Sequence, residues 1–121
     1  MRWQPYAYNP TKRLAYLGGE DGCVTRQIVP AVTLPDGGID EKGRSKPGTA
    51  VTTGLKALNV IADVTTGQIK VRSNSTYSNR SGMLATAGGL VFTAYINGSV
   101  VALHDETLQE LWRFETGIPI K

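Results

Sequence analysis

The 121-residue sequence lacks several features on which a functional assignment usually rests. Cys23 is the only cysteine, so no internal disulfide can form. No run of about 18 apolar residues is present, so no membrane-spanning helix is expected. The first ten residues contain no apolar segment of the signal-peptide type. His104 is the only histidine, which argues against a histidine-based metal cluster and against a catalytic triad.

Charge is also modest, with a formal net charge of +3. The cations are dispersed, and their densest cluster is Lys42, Arg44 and Lys46, so we expect no nucleic-acid partner. The acidic residues lie in glycine-rich turns without the spacing of a calcium-binding loop, so calcium is not expected in this chain. The sequence offers no catalytic residue and no metal ligand.

Glycine, in contrast, is abundant at 14 residues, which favours a β protein with many turns. Between residues 82 and 117, Gly88-Gly89 and Asn97-Gly98 separate β-rich runs, and such pairs are strong hairpin signals. The four strands predicted here lie at residues 83–87, 90–96, 99–104 and 110–115. A four-stranded antiparallel meander of this size is typical of one blade of a β-propeller.

The rest of the chain gives weaker signals. Strands are predicted at residues 14–17, 23–33, 55–62 and 68–72, with turns at residues 9–12, 18–22 and 63–67. The predicted fold class is therefore all-β, with propeller-type meanders forming two to three blades of a partial propeller. The predicted divisions are a partial blade at residues 1–34, a loop at 35–54, a partial blade at 55–81 and a complete blade at 82–117.

A faint internal repeat supports the blade hypothesis. Residues 60–72 laid over residues 101–113, an offset of 41, match at four positions. An offset near 40 residues is the length of a four-stranded blade.

The residues also resemble a known family. LATAGGLVFT at 84–93, NGSVVAL at 97–103 and ELWRFETG at 110–117 resemble the C-terminal blades of quinoprotein alcohol and methanol dehydrogenases. The opening at residues 3–17, WQPYAYNPTKRLAYL, resembles an earlier segment of the same proteins. The match keeps the same order over most of the chain and is weakest at residues 35–54.

This resemblance implies an eight-bladed propeller that binds pyrroloquinoline quinone and usually calcium. It also implies oxidation of alcohols in the periplasm, with electrons passed to a cytochrome or quinone. By position, Trp3 either borders the planar quinone or is only a packing residue near the terminus. Arg80 stands where the family usually has a Trp near the quinone, and it either faces a quinone carboxylate or is a solvated turn residue.

The family's blade-docking motif, Ala-x-Asp-x-x-Thr-Gly-x-x-x-Trp, is altered here. In the first copy, Asp63 and Thr66-Gly67 are retained, but Val71 replaces the Trp. In the second copy, Trp112 is retained, but His104 replaces Asp and Leu108 replaces Gly. Because leucine is strained where a turn requires a positive φ, we expect weaker contacts between blades.

Two functions follow as hypotheses. The first is a fragment or remnant subunit of a quinone-dependent alcohol dehydrogenase, inactive as an isolated chain because the family's catalytic aspartate and calcium ligands lie in blades that resemble nothing here. The second is a non-enzymatic binding or structural module built from propeller blades. In either case, exposed sheet edges and apolar faces predict a homo-oligomer or a companion propeller chain as the partner.

Overall fold

The fold was analysed from a computed structural model of the 121-residue chain. It describes residues 4–21, 26–28, 32–40, 45–47 and 56–120. These residues form strands and turns, and among them no helix is long and apolar enough to cross a membrane. The chain divides into two compact units, one of residues 1–21 and 54–121 and the other of residues 22–53.

The first sheet, sheet I, has the strand order β1-β2-β7-β8, and every neighbouring pair is antiparallel. Its strands are β1 (Ala7–Asn9), β2 (Leu14–Asp21), β7 (Lys56–Asp63) and β8 (Ile69–Ser75). β2 pairs with β7 along its full length, from Leu14 opposite Asp63 to Asp21 opposite Lys56. The segments assigned above to two partial blades, at residues 1–34 and 55–81, are therefore joined in one sheet. Pairing across a long insertion leaves no local signal in the sequence.

The turn predicted at residues 18–22 is wrong, because β2 continues through both glycines to Asp21. Gly18 is a buried strand residue, and a Cβ there would lie only 2.7 Å from the side-chain Nδ2 of Asn79. Gly18 thus marks a close approach within the sheet rather than a reversal of the chain.

The second compact unit contains two antiparallel strand pairs, β3 with β6 and β4 with β5. Its strands are β3 (Arg26–Ile28), β4 (Val32–Thr33), β5 (Ile39–Asp40) and β6 (Ser45–Pro47). Two of these strands lie within the loop predicted at residues 35–54. The turn between β4 and β5 is closed by the N–H of Gly37 donating to the carbonyl of Leu34 at 2.9 Å.

The second four-stranded sheet, sheet II, is an antiparallel meander in the order β12-β11-β10-β9. Its strands are β9 (Leu84–Ala85), β10 (Leu90–Ala94), β11 (Ser99–His104) and β12 (Glu110–Glu115). The predicted meander and the all-β fold class are confirmed. Gly89 and Gly98 adopt positive φ angles of 80° and 97° in the turns that their dipeptides predicted.

The core lies between one face of each sheet, which we call the inner faces. Tyr16, Ile61 and the partly buried Val71 form a row across sheet I. They belong to the same buried cluster as Val91 and Leu103 of sheet II. Because alternate strand residues point to opposite sides, each sheet also has an outer face.

The outer face of sheet II is apolar and largely uncovered among the described residues. Its cross-strand rows run from Leu84 through Phe92 to Trp112, and from Ala94 through Val100 to Phe114. Trp112 and Phe114 are 50% and 55% exposed and stack on each other with ring centroids 6.2 Å apart. On the outer face of sheet I, β2 and β7 carry smaller, half-buried side chains, and β8 adds the exposed Arg72 opposite Val60. The β2 and β7 residues are Ala15, Leu17, Leu58, Val60 and Ala62.

The 41-residue repeat is present in three dimensions. β7 and β8 correspond to β11 and β12, and each pair has an irregularity in its register at the same place, after Ile61 in one and after Ala102 in the other. The number of matching residues was small, but the two hairpins share their hydrogen-bonding pattern.

Candidate functional site

The segment that links sheet I to sheet II, residues 76–83, is buried at its centre. Ser78 and Asn79 are 6% and 0% exposed. The carbonyl of Ser78 accepts a hydrogen bond of 3.0 Å from the N–H of Ile96, and the carbonyl of Pro5 accepts one of 3.0 Å from the N–H of Met83. Both ends of the link are therefore fixed to neighbouring backbone.

Asn79 joins the two sheets through its side-chain amide. Its Nδ2 donates to Asn59 Oδ1 in sheet I and to Thr93 Oγ1 in sheet II, both at 2.9 Å. Its Oδ1 accepts from the N–H of Ser81 at 3.2 Å. Asn59 in turn donates to the hydroxyl of Tyr95 at 3.0 Å. Burial raises the pKa of Tyr95, so this hydroxyl keeps its proton.

The hydroxyl and amide groups of this network bond to one another and to the backbone. Ser81 Oγ, for example, accepts from the N–H of Ala94 and lies 2.8 Å from its carbonyl oxygen. The network therefore resembles a satisfied interface rather than a nucleophile paired with a base. Sequence analysis missed it. The one available signal was Asn59, a polar residue on the otherwise apolar face of a strand.

Arg80, predicted at the cofactor site, lies within this link and contacts Glu20 near the end of β2. Arg80 Nε donates to Glu20 Oε1 at 2.7 Å, and the two side chains are 38% and 28% exposed. Because the pair is partly solvated, it contributes modestly to stability. Trp3, the other predicted cofactor residue, lies outside the described residues, so its role stays a prediction.

A second polar contact between the sheets lies beside a cavity of about 360 Å³, lined by residues of the β1–β2 and β9–β10 turns. Lys12 Nζ lies 2.8 Å from Asp105 Oδ2 and 3.1 Å from Glu106 Oε1. Hydrogen bonding to Asp105 and then Glu106 raises the pKa of Lys12. Asp105 is 2% exposed, so the lysine neutralises a buried carboxylate across the interface.

The ligand atoms of His104, Asp105 and Glu106 lie within 4.8 Å of one another. Such a group is able to hold a cation, but the ammonium of Lys12 already contacts both carboxylates. The chemistry visible here is therefore that of an internal ion pair.

Comparison with known proteins places the chain beside quinoprotein dehydrogenases, although no family model matches it. It is 42% identical to a quinoprotein ethanol dehydrogenase of Pseudomonas putida over 55 residues, and this aligned region covers 46% of this chain and 9% of that protein. It is 30% identical to the lupanine 17-hydroxylase [cytochrome c] of a Pseudomonas species over 115 residues, and this aligned region covers 95% of this chain and 16% of that protein. The chain thus spans only a small part of the curated relatives it matches.

Solved structures give the same fold. A quinohemoprotein alcohol dehydrogenase from Pseudomonas putida HK5 superposes with a TM-score of 0.78 at 20% identity, over 98% of this chain and 19% of that one. A europium-containing methanol dehydrogenase gives 0.78 at 22% identity, over 97% and 20%. The quinohemoprotein alcohol dehydrogenase of Comamonas testosteroni gives 0.72 at 21% identity, over 98% and 19%. The resemblance stated from the sequence is confirmed.

Proposed function

We propose that this chain is a two-blade portion of a propeller of the quinone-dependent alcohol dehydrogenase type, acting in the periplasm. The observation that carries the proposal is the alignment with a cytochrome c-linked hydroxylase over 95% of the chain. The two packed four-stranded sheets support it, since a meander of this type docks on similar neighbours. Further copies or a companion propeller chain would complete the ring.

In this proposal the chain offers pyrroloquinoline quinone only one edge of a site. Arg80 is the cation of the link between the sheets, and it is partly exposed. Its Nε is bonded to Glu20, but a guanidinium has five N–H donors in a planar fork that suits carboxylates. Arg80 therefore fits a carboxylate of the quinone, whereas the neighbouring amide of Asn79 is used inside the protein. Trp3 stays a predicted second contact.

The bound quinone would supply the two-electron oxidation of an alcohol, and the residues of this chain would bind and orient the quinone. Glu20 would hold the guanidinium plane of Arg80 in place by its 2.7 Å bond to Nε. The isolated chain would not turn over substrate, because the acid and calcium ligands that the resemblance implies lie in other blades.

Titration of the chain with pyrroloquinoline quinone, with and without calcium, tests the proposal. Binding is followed by quinone absorbance and by the melting temperature. We expect weak, saturable binding that calcium does not change and that Arg80→Ala weakens about tenfold, as for loss of a charge-assisted hydrogen bond of about 1.5 kcal/mol. Arg72→Ala, which removes a cation from an exposed strand position, is the matched control. Equal weakening by both variants, or no binding at all, would remove the quinone from the proposal.

A non-enzymatic structural or binding module is the second candidate. The observation that favours it is the internal use of the polar groups of the link, which leaves the buried amide of Asn79 without spare donors. It predicts that the quinone neither binds nor stabilises the chain, while the fold and the melting temperature stay intact.

A further inference from the structure

The geometry points to a second copy of this chain as the occupant of the outer face of sheet II, docked through the outer face of its own sheet I. This inference concerns assembly alone and would stand even if no quinone binds. It rests on how the two sheets already pack within one chain.

The internal packing is head to tail. Ile61 lies on the inner face of sheet I, towards sheet II, and its repeat equivalent Ala102 lies on the outer face of sheet II. In the repeat, the outer face of sheet II therefore corresponds to the inner face of sheet I, which sheet II covers within the chain. By the same offset, Val60 on the outer face of sheet I corresponds to Val101 on the covering face of sheet II. Each chain thus carries both halves of one more interface of the same kind.

The polar contacts inside the chain have apolar counterparts on both outer faces. Asn59 bonds Tyr95 across the internal interface. Their equivalents, aligned by strand pairing, are Val100 on sheet II and Gly19 on sheet I. Replacement of both partners leaves neither of these two positions with an unpaired polar side chain when a second copy docks.

The ion pair shows the same double replacement. Lys12 and Asp105 contact each other across the internal interface at 2.8 Å. Their equivalents are Gly88 in the β9–β10 turn and Val64 in the β7–β8 turn, which is 50% exposed. An isolated lysine or aspartate at either place would oppose docking, and neither is present.

Side-chain size is also complementary. Trp112 and Phe114 on sheet II stand where sheet I has Val71 and Ser73, so this face projects further. The facing surface is correspondingly smaller. Ala62 on the outer face of sheet I stands where the internal interface has Leu103. Large aromatic side chains entering a shallow apolar surface are typical anchors of protein interfaces.

Because the two outer faces differ, the contact is heterologous, and repeated docking builds rings or open chains rather than a symmetric dimer. Sedimentation velocity of the full chain should show species that are multiples of 13.0 kDa. Trp112→Glu removes the sheet II surface and Val60→Glu removes the sheet I surface, and each variant alone should be monomeric. An equal mixture of the two variants should form a dimer and nothing larger. The outer face of sheet I is intact in Trp112→Glu and the outer face of sheet II is intact in Val60→Glu, so only one interface can form.

Tyr77→Glu is the matched control, since Tyr77 is 47% exposed and belongs to the link rather than to a strand of either sheet. It should assemble like the unmodified chain. Circular dichroism and melting curves verify that each variant folds. If either glutamate variant unfolds, Phe114→Ala and Val60→Ala replace the pair, with weaker assembly expected of each. A monomeric unmodified chain would overturn the inference in favour of a companion chain or further blades, and so would a mixture that stays monomeric.

Discussion

The two turns that the repeat makes equivalent, residues 63–68 and residues 104–109, reach one geometry with different side chains. In the first, the N–H of Asp63 donates to the carbonyl of Gln68 at 2.9 Å. In the second, the N–H of His104 donates to the carbonyl of Gln109 at 2.8 Å. The backbone pattern has been kept where the motif residues have not.

The residue that opens each turn shows how a substitution is accommodated. Asp63 Oδ1 accepts from the N–H groups of Thr65 and Thr66 at 2.8 and 3.3 Å. His104 Nδ1 accepts from the N–H of Glu106 at 3.1 Å. An imidazole nitrogen thus serves as the acceptor that the family motif provides with a carboxylate, but it receives one hydrogen bond instead of two.

The residue at positive φ differs more sharply. Gly67 has a φ of 72° and Leu108 a φ of 57°, so Leu108 adopts the conformation that was expected to strain it. Yet Leu108 is only 3% exposed and belongs to the core cluster, whereas a Cβ at Gly67 would meet nothing within 4 Å. Burial of the leucine side chain offsets a backbone cost of about 1–2 kcal/mol. Burial of Leu108 thus compensates for the altered motif at this turn.

Truncation of Leu108 should have the largest effect. We expect Leu108→Ala to lower the free energy of unfolding by about 2–5 kcal/mol, the usual range for a buried leucine. At the equivalent position, Gly67→Ala should cost only the backbone strain, about 1–2 kcal/mol. Urea denaturation of both variants measures the difference. Leu108→Gly should be no less stable than Leu108→Ala, since glycine relieves the positive φ. Equal losses at positions 67 and 108 would contradict the compensation by burial.

Removal of the side-chain acceptors comes next in size. His104→Ala should lower the free energy of unfolding by about 0.5–1.5 kcal/mol, the usual value of one hydrogen bond. Asp63→Ala should lower it further, because two N–H groups lose their acceptor. Thermal melts of both variants test the order. His104→Asn, which keeps an acceptor in the same turn, is the control and should retain most of the stability. A larger loss at His104 than at Asp63 would mean that the imidazole has another structural role.

Whether a structural feature could be predicted from the sequence depended on how far apart along the chain the residues that determine it lie. The meander of sheet II is set by local turn chemistry, so Gly88-Gly89 and Asn97-Gly98 predicted it. β2 extends through Gly18 because it pairs with β7, and a glycine stands at this position because Asn79, far along the chain, fills the space that a side chain would occupy. No local pattern carries that information.

In the candidate site, too, the features set by contacts between distant residues could not be predicted from the sequence. Arg80 was predicted from the resemblance, but its partner Glu20 lies 60 residues earlier, in the part of β2 that was predicted to be a turn. Asn59 lies on β7 and Asn79 in the link between the sheets, 20 residues further along the chain, so their hydrogen bond could not be predicted from residue type. Leu108 was recognised as a departure, but its burial depends on the packing of sheet II against sheet I.

The smallest expected difference between the two turns is their response to acid. Hydrogen bonds from the Thr65 and Thr66 N–H groups, with Lys70 3.4 Å away, lower the pKa of Asp63. A pKa that is lower in the folded state stabilises the fold above the unfolded value, about 3.9, and this contribution is lost as the pH falls through the folded value. Thermal melts between pH 6 and about pH 2 should therefore show a smaller acid-dependent loss in Asp63→Asn than in the unmodified chain, because the amide accepts the same hydrogen bonds without titrating. Asp36→Asn, in the exposed turn between β4 and β5, is the matched control, since it removes another turn carboxylate. An Asp63→Asn variant with the full acid-dependent loss would show that other carboxylates cause it and that the two turns differ only in geometry.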